Sequence, residues 1–256
     1  MVVRGESDGR RPTRFSGARV VVTGGSQGIG RAIAMAFAEE GAVVTILDRL
    51  IDEATDVAQE IGGAAVECDL ADAVSTTAAI TDAIDRLGGI DVLVNNAGVF
   101  KITPLLDISA DEWDWIFAVN VRAMLLTTQV AARTMIEQGH GGKIVNMASM
   151  GGKVGAANQS HYAASKAAVI SLTQVSASEL GAHGITVNSI CPGYVLTEMG
   201  AATRTAEMVA EWSSKSPLGR LADPSDVAAM ALFLASSDAD YCTGQAMNVS
   251  GGMIMH

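Results

Sequence analysis

Short aliphatic runs rich in Val and Ile recur along the chain. Between them lie longer, Ala-rich segments whose apolar residues return every three or four positions. The runs are ARVVVT (18–23), AVVTILD (42–48), GAAVEC (63–68), DVLVNN (91–96), GKIVNMAS (142–149), ITVNSIC (185–191) and QAMNV (245–249). Strands that are apolar almost throughout, and do not alternate, signal a sheet buried on both faces. The 3.6-residue periodicity predicts helices over 28–40, 71–88 and 162–182. Strands alternating with helices predict parallel pairing through right-handed crossovers. The fold class is therefore α/β, a seven-stranded doubly wound parallel sheet with helices on both faces. No repeat or linker interrupts the 256 residues, so 15–256 reads as one domain.

Local signals mark several boundaries. Ser109 precedes ADEW, an N-cap followed by acids in the first helical turn. Pro224, Ser225 and Asp226 introduce the helical run that ends in AMALFLA. That run is too short to cross a membrane. The segment 195–221 mixes Ser, Thr, Glu, Met and Trp212 with neither periodicity, and reads as a lid over a substrate. Residues 1–14, MVVRGESDGRRPTR, lack the apolar centre of a signal peptide and read as a disordered leader.

One strand ends unusually. VVVTGGSQGIG (20–30) passes from β-branched residues to glycines within a few positions. A strand, then Gly24, Gly28 and Gly30, then a helix, gathers backbone N–H groups and a positive dipole end at one point. That is an anion site, and the glycines let a pyrophosphate approach the backbone. Asp48 ends the next strand twenty residues after Gly28, where a carboxylate can bind ribose hydroxyls. The pattern predicts a dinucleotide.

Composition narrows the partners. With 17 basic and 28 acidic residues the net charge is −11, which disfavours nucleic acid and anionic membranes. Three cysteines without CxxC spacing suit a reducing, cytoplasmic setting, and no His or Cys spacing suggests a metal.

The candidate chemistry lies further on. Tyr162 and Lys166 stand four apart in HYAASKAAVISLTQ, on one helical face. Ser149 ends the fifth strand, at the edge where open parallel sheets bind ligands. A phenol titrates near 10, so a base at neutral pH needs about 3–4 kcal/mol of help. An ammonium ~4.5 Å away supplies that much at an effective dielectric of about 20. Lys166, helped by a positive nicotinamide ring, is thus expected to make Tyr162 a usable base, and Ser149 to orient a substrate oxygen. His161 adjoins the tyrosine but points elsewhere on the helix. Trp113 and Trp115 read as helix packing, and Trp212 as either packing or substrate contact.

Taken together, TGGSQGIG (23–30), NNAG (95–98), Asn120 in VNV, Ser149, YAASK (162–166) and PGYVLT (192–197) resemble the short-chain dehydrogenase/reductase family. The likeness runs from Phe15 to the C-terminus. It implies a Rossmann fold, hydride transfer at nicotinamide C4, and a catalytic tetrad of Asn120, Ser149, Tyr162 and Lys166, with Asn120 holding a relay water. It further implies cofactor contacts from Gly24, Ser26, Gln27, Gly28, Ile29, Gly30, Asp48, Asp69, Leu70, Asn96, Ala97, Gly98, Tyr162, Lys166, Pro192, Gly193, Val195 and Thr197. Ser149, Gly151, Asn158, Tyr162 and Gly193 would face the substrate. Asp48 points to NAD over NADP, although Arg49 beside it could turn toward a phosphate. The resemblance is strongest to sugar-alcohol dehydrogenases, so a small polyol is the expected substrate, with Asn158, Gln159 and His161 as polar groups. Met150, Met199 and Trp212 would instead suit an apolar substrate, and the alternative is an NADPH-dependent 3-oxoacyl thioester reductase. The whole Tyr–Lys pair argues against a dinucleotide-sensing regulator. The single-domain reading argues against a sugar-nucleotide epimerase. Two helices with apolar or small residues on more than one face, around 119–135 and after Lys166, lead to the expectation of a homotetramer.

Overall fold

The aliphatic runs become seven strands: β1 (Arg19–Thr23), β2 (Val43–Asp48), β3 (Ala64–Glu67), β4 (Val92–Asn95), β5 (Gly142–Met147), β6 (Ile185–Pro192) and β7 (Ala246–Val249). The structure is a computed structural model that describes residues 13–197 and 205–256. All strands are parallel, in the order β3-β2-β1-β4-β5-β6-β7. The order reverses between β1 and β4, and a crevice opens at the carboxyl ends on either side of such a switch point.

Strand pleating explains the continuous apolar runs. Val20, Val21 and Val22 have no exposed surface. Val20 and Val22 enter a core with Ile33 and Phe37 of α1 (Gly28–Glu39) and Val227 and Ala231 of α8 (Pro224–Ala235). Val21 points the other way, to Ile80 and Ile84 of α3 (Ala73–Leu87) and Ala131 and Met135 of α5 (Ala123–Gln138). Successive side chains thus serve opposite layers.

The remaining helices are α2 (Ile51–Ile61), α4 (Ala110–Phe117), α6 (Ser160–Leu180) and α7 (Ala206–Ser214). Several starts follow from their caps. Ser109 accepts the Glu112 N–H at 3.1 Å, and Asp223 and Asp226 form a capping box around Pro224. A π-helical turn, Ala118–Arg122, joins α4 to α5. The resulting span 110–138 is the one helix among the described residues long and apolar enough to cross a membrane, and half of its most apolar stretch is buried inside the protein. Thr13 and Arg14 are folded onto the domain, with Arg14 paired to Glu40 at 2.9 Å; the rest of the expected leader lies outside the described residues.

Candidate active site

The glycine turn is built between β1 and α1 and braced from β4. Thr23 Oγ1 accepts the backbone N–H groups of Asn96 and Ala97, each at 3.0 Å. Asn96 Nδ2 returns two bonds, to the Thr23 and Gly24 carbonyls, each at 3.0 Å. Gly24 has φ +66°, and a Cβ on Gly30 would lie 1.9 Å from the Gly24 carbonyl oxygen. Helix α1 starts at Gly28 with no side chain capping it and no acid in its first turn. Its free N–H groups and positive end face the crevice beside a backbone bare of side chains, a cradle that fits a pyrophosphate.

At the end of β2, Asp48 closes the turn from the side. Its carboxylate accepts the N–H of Ser26 and of Leu50, both at 3.0 Å. It therefore holds the loop while keeping lone pairs for ribose hydroxyls. Asp69 caps its own turn through the Ala71 N–H at 2.9 Å. Leu70 packs on the core at its side, and Ile29 packs on the opposite one. Gln27 occupies the N-cap position of α1. Pro192 ends β6, Gly193 donates to the Val249 carbonyl at 2.9 Å, and Val195 bridges to Ala222. Thr197 is the last described residue before 198–204.

Across the crevice, α6 carries the tyrosine and lysine expected for catalysis. Lys166 is buried, and its Nζ donates to the carbonyl of Met147, the last residue of β5, at 2.8 Å. Burial pulls its ammonium down to about 8. Nζ lies 5.8 Å from the centre of the Tyr162 ring. Burial pushes the Tyr162 phenol up, and a hydrogen bond with Ser149 opposes that. Desolvation outweighs the Ser149 bond, so the protein's own groups raise the phenol. Ser149 also accepts the Gly151 N–H at 3.0 Å, which shapes the turn next to the tyrosine.

Asn120 sits in the π-helical turn, fully buried. Its Oδ1 accepts the Val99 N–H at 2.8 Å; its Nδ2 donates to the Val99 carbonyl and to Ser165 Oγ, each at 3.0 Å. Ser165 in turn donates to the Tyr162 carbonyl at 2.7 Å. A Cβ on Gly98 would stand 3.2 Å from both Asn120 Oδ1 and Lys166 Nζ, so a glycine there lets the two flank the backbone. Beneath them, buried Asn95 and Asn146 link at 2.9 Å, with Thr127, Thr128 and Thr173 completing their bonds. This amide chain fixes β4 and β5 to α5 and α6.

The substrate side holds what the sequence concealed. Asn158 is exposed at φ +63°, and its carbonyl accepts the Thr103 N–H at 2.9 Å. His161 does not line a pocket. It is fully buried against Glu112. Phe100, which no motif marks, meets Tyr162 edge to face with ring centres 4.8 Å apart. Trp212 of α7 stacks on Tyr194 at 4.8 Å and 12°. Trp113 stacks on Phe117 at 4.9 Å, though both it and Trp115 are exposed. Met199 lies outside the described residues.

Known proteins place this arrangement. A family model described as enoyl-(acyl carrier protein) reductase matches residues 24–254. A sorbitol dehydrogenase of Cereibacter sphaeroides is 42% identical over 251 residues, covering 93% of this chain and 98% of that protein. A galactitol 2-dehydrogenase of Agrobacterium fabrum is 39% identical with the same coverage. A human (3R)-3-hydroxyacyl-CoA dehydrogenase is 38% identical, covering 94% of this chain and 97% of its own. Among solved structures, a short-chain type dehydrogenase/reductase from Mycobacterium marinum superposes with TM-score 0.89 at 39% identity. That match covers 96% of this chain and 98% of the other.

Proposed function

The chain belongs to the short-chain dehydrogenase/reductase family and is an oxidoreductase, and from that premise we propose NAD-dependent oxidation of a small polyol at a secondary alcohol, giving the ketose. The observation that carries it is the Ser149–Tyr162–Lys166 cluster facing the glycine cradle across one crevice. The cradle with Asp48 would hold the dinucleotide, with Asp69, Leu70 and Asn96–Gly98 around it and Pro192–Thr197 over it. NAD, when bound, supplies the hydride acceptor and a positive charge beside the phenol. Ser149 would donate a hydrogen bond to the alcohol oxygen, and Tyr162, ionised beside the Lys166 ammonium, would take the alcohol proton and become a neutral phenol. Asn120 fixes the backbone behind them. Gly151, Asn158 and Gly193 would border the substrate; of the lid expected over 195–221, residues 198–204 lie outside the described residues.

Two supports favour the finer reading. Asp48 accepts ribose hydroxyls and repels a 2′-phosphate, and the relatives at 42% and 39% identity are named for polyols. An acyl thioester has an argument too, because Ile102, Leu105 and Leu106 of the Phe100 loop are exposed, and a relative at 38% is named for a hydroxyacyl thioester. NADH formation at 340 nm with sorbitol, galactitol and threitol is the test, set against NADPH oxidation by an acetoacetyl thioester. An alditol should react, with kcat/KM for NAD about 10- to 100-fold above NADP, from one like-charge contact. Reaction with the thioester and NADPH alone would replace the polyol reading; equal use of both cofactors would remove the NAD assignment.

The enzyme is further proposed to be a cytoplasmic homotetramer. Trp115, Leu125 and Val175 are exposed on α4, α5 and α6, and a groove between these helices is lined by Phe117, Val121, Leu125 and Leu172, with Asp114 and Arg122 also on its wall. Light scattering at micromolar concentration should give four times the 26.4 kDa chain mass. A single-chain mass would refute it.

A further inference from the structure

The first turn of α6 carries a buried histidine with no part in the reaction just described. Residues 161 and 162 are a hundred degrees apart on the helix by geometry, about a quarter turn, so His161 faces α4 while Tyr162 faces the crevice. His161 Nε2 lies 2.8 Å from Oε1 of Glu112, in the first turn of α4. Its Nδ1 has no hydrogen-bond partner. A leucine would fill that volume without stranding a nitrogen, so packing alone does not account for an imidazole here.

What the histidine grips is informative. The other oxygen of Glu112 pairs with Lys101 Nζ, and the Thr103 side chain also hydrogen-bonds the carboxyl. These partners hold the carboxyl down to about 2. Ionised, it only accepts, which places the His161 proton on Nε2. Lys101 and Thr103 belong to the loop that begins with Phe100, and Phe100 is the residue laid edge-on against Tyr162, with 84° between the rings. The same loop is pinned to the Ser149–Tyr162 segment by the Thr103 N–H bond to Asn158. Loop and helix are thus clamped twice around one aromatic ring.

We propose that His161 and Glu112 are positioning residues for the catalytic base, tying the 100–103 loop to α6 so that Phe100 fixes the ring plane of Tyr162. The inference rests on Tyr162 being the base. Misplacing a reacting group by about 1 Å can cost on the order of 100-fold in rate, so the clamp acts on kcat.

The test uses the full-length enzyme with sorbitol and NAD, or the acetoacetyl thioester and NADPH should those prove to be its reactants. His161→Leu should lower kcat by about 10- to 100-fold, with the dissociation constant of the cofactor, read by protein fluorescence, unchanged. His161→Gln, whose amide can still donate to Glu112, should recover most of that loss. Phe100→Leu should reproduce it with His161 in place. Wild-type kcat in His161→Leu overturns the proposal, as does a rise in KM alone, which would make the loop a substrate wall. A His161→Gln variant no better than His161→Leu also overturns it, because only packing would then be at stake. Should His161→Leu fail to fold, Phe100→Leu and Glu112→Gln carry the decision by the same kcat criterion. Turnover by Tyr162→Phe would instead bring down the base assignment itself, whatever the His161 variants do.

Discussion

Tyr162→Phe is expected to bind NAD as the wild type does and to lose turnover by about a hundred- to ten-thousand-fold, the range of a removed general base. The substitution keeps the ring that meets Phe100 at 4.8 Å and deletes one oxygen. That oxygen is the group on which burial and Ser149 act in opposite directions. Burial is the larger of the two and holds the phenol above its ordinary value, so ionising it for its role as base takes nearby positive charge. Lys166 stands ready for this, with Nζ on the Met147 carbonyl. It is itself drawn down to about 8 by the same apolar surroundings, and so is weaker support than its charge alone suggests. Steady-state kinetics and a fluorescence titration of NAD measure the two halves separately. A variant that keeps more than about a tenth of kcat, a barrier change under ~1.4 kcal/mol, would remove Tyr162 from the role of base.

The parts of the site that were legible in the sequence are those written in local spacing. Val20–Val22 announce a strand buried on both faces, because continuous apolarity has few other uses at that length. Tyr162 and Lys166 share a face because the helical period is fixed, and Ser109 marks a helix start because its oxygen has one obvious donor to meet. The parts that were hidden depend on where distant segments land. AVNVR reads as ordinary helix, and nothing within it signals the π-helical turn that aims Asn120 at Val99 and Ser165. Phe100 and Tyr162 are brought together only by the packing of a loop on α6. Glu112 and His161 reach each other only once α4 docks there. Trp212 could have faced packing or substrate, and its stack on Tyr194 depends on α7 meeting the segment that follows β6. The sign of the Tyr162 shift was hidden for the same reason: charge can be read from sequence, but desolvation is a property of the assembled core.

Gly30→Ala is expected to damage both fold and cofactor binding, although it adds only one carbon on the helix. That carbon would lie 1.9 Å from the Gly24 carbonyl oxygen and 2.4 Å from Asn96 Nδ2. These two atoms are already bonded to each other at 3.0 Å, so the methyl would wedge apart the bond by which β4 braces the turn. Neither neighbour is the free end of a flexible chain. Gly24 is backbone at φ +66°, with Ala97 Cα 2.9 Å from its own missing Cβ, and Asn96 is held by a second bond to the Thr23 carbonyl. Relief must come from moving α1 away from the strand, which widens the cradle meant for the pyrophosphate. Overpacking of this kind costs about 1–3 kcal/mol, and separating the Asn96 bond adds to it. The thermal midpoint should fall by about 5 °C or more, and NAD should bind at least about tenfold more weakly, the equivalent of ~1.4 kcal/mol. Gly181→Ala is the control, since a Cβ there meets nothing within 4 Å and its φ of −58° suits any residue; it should leave both quantities unchanged. If Gly30→Ala matched that control in melting and in NAD titration, the turn would be pliable, and the close backbone approach that identifies it as a phosphate cradle would lose its force.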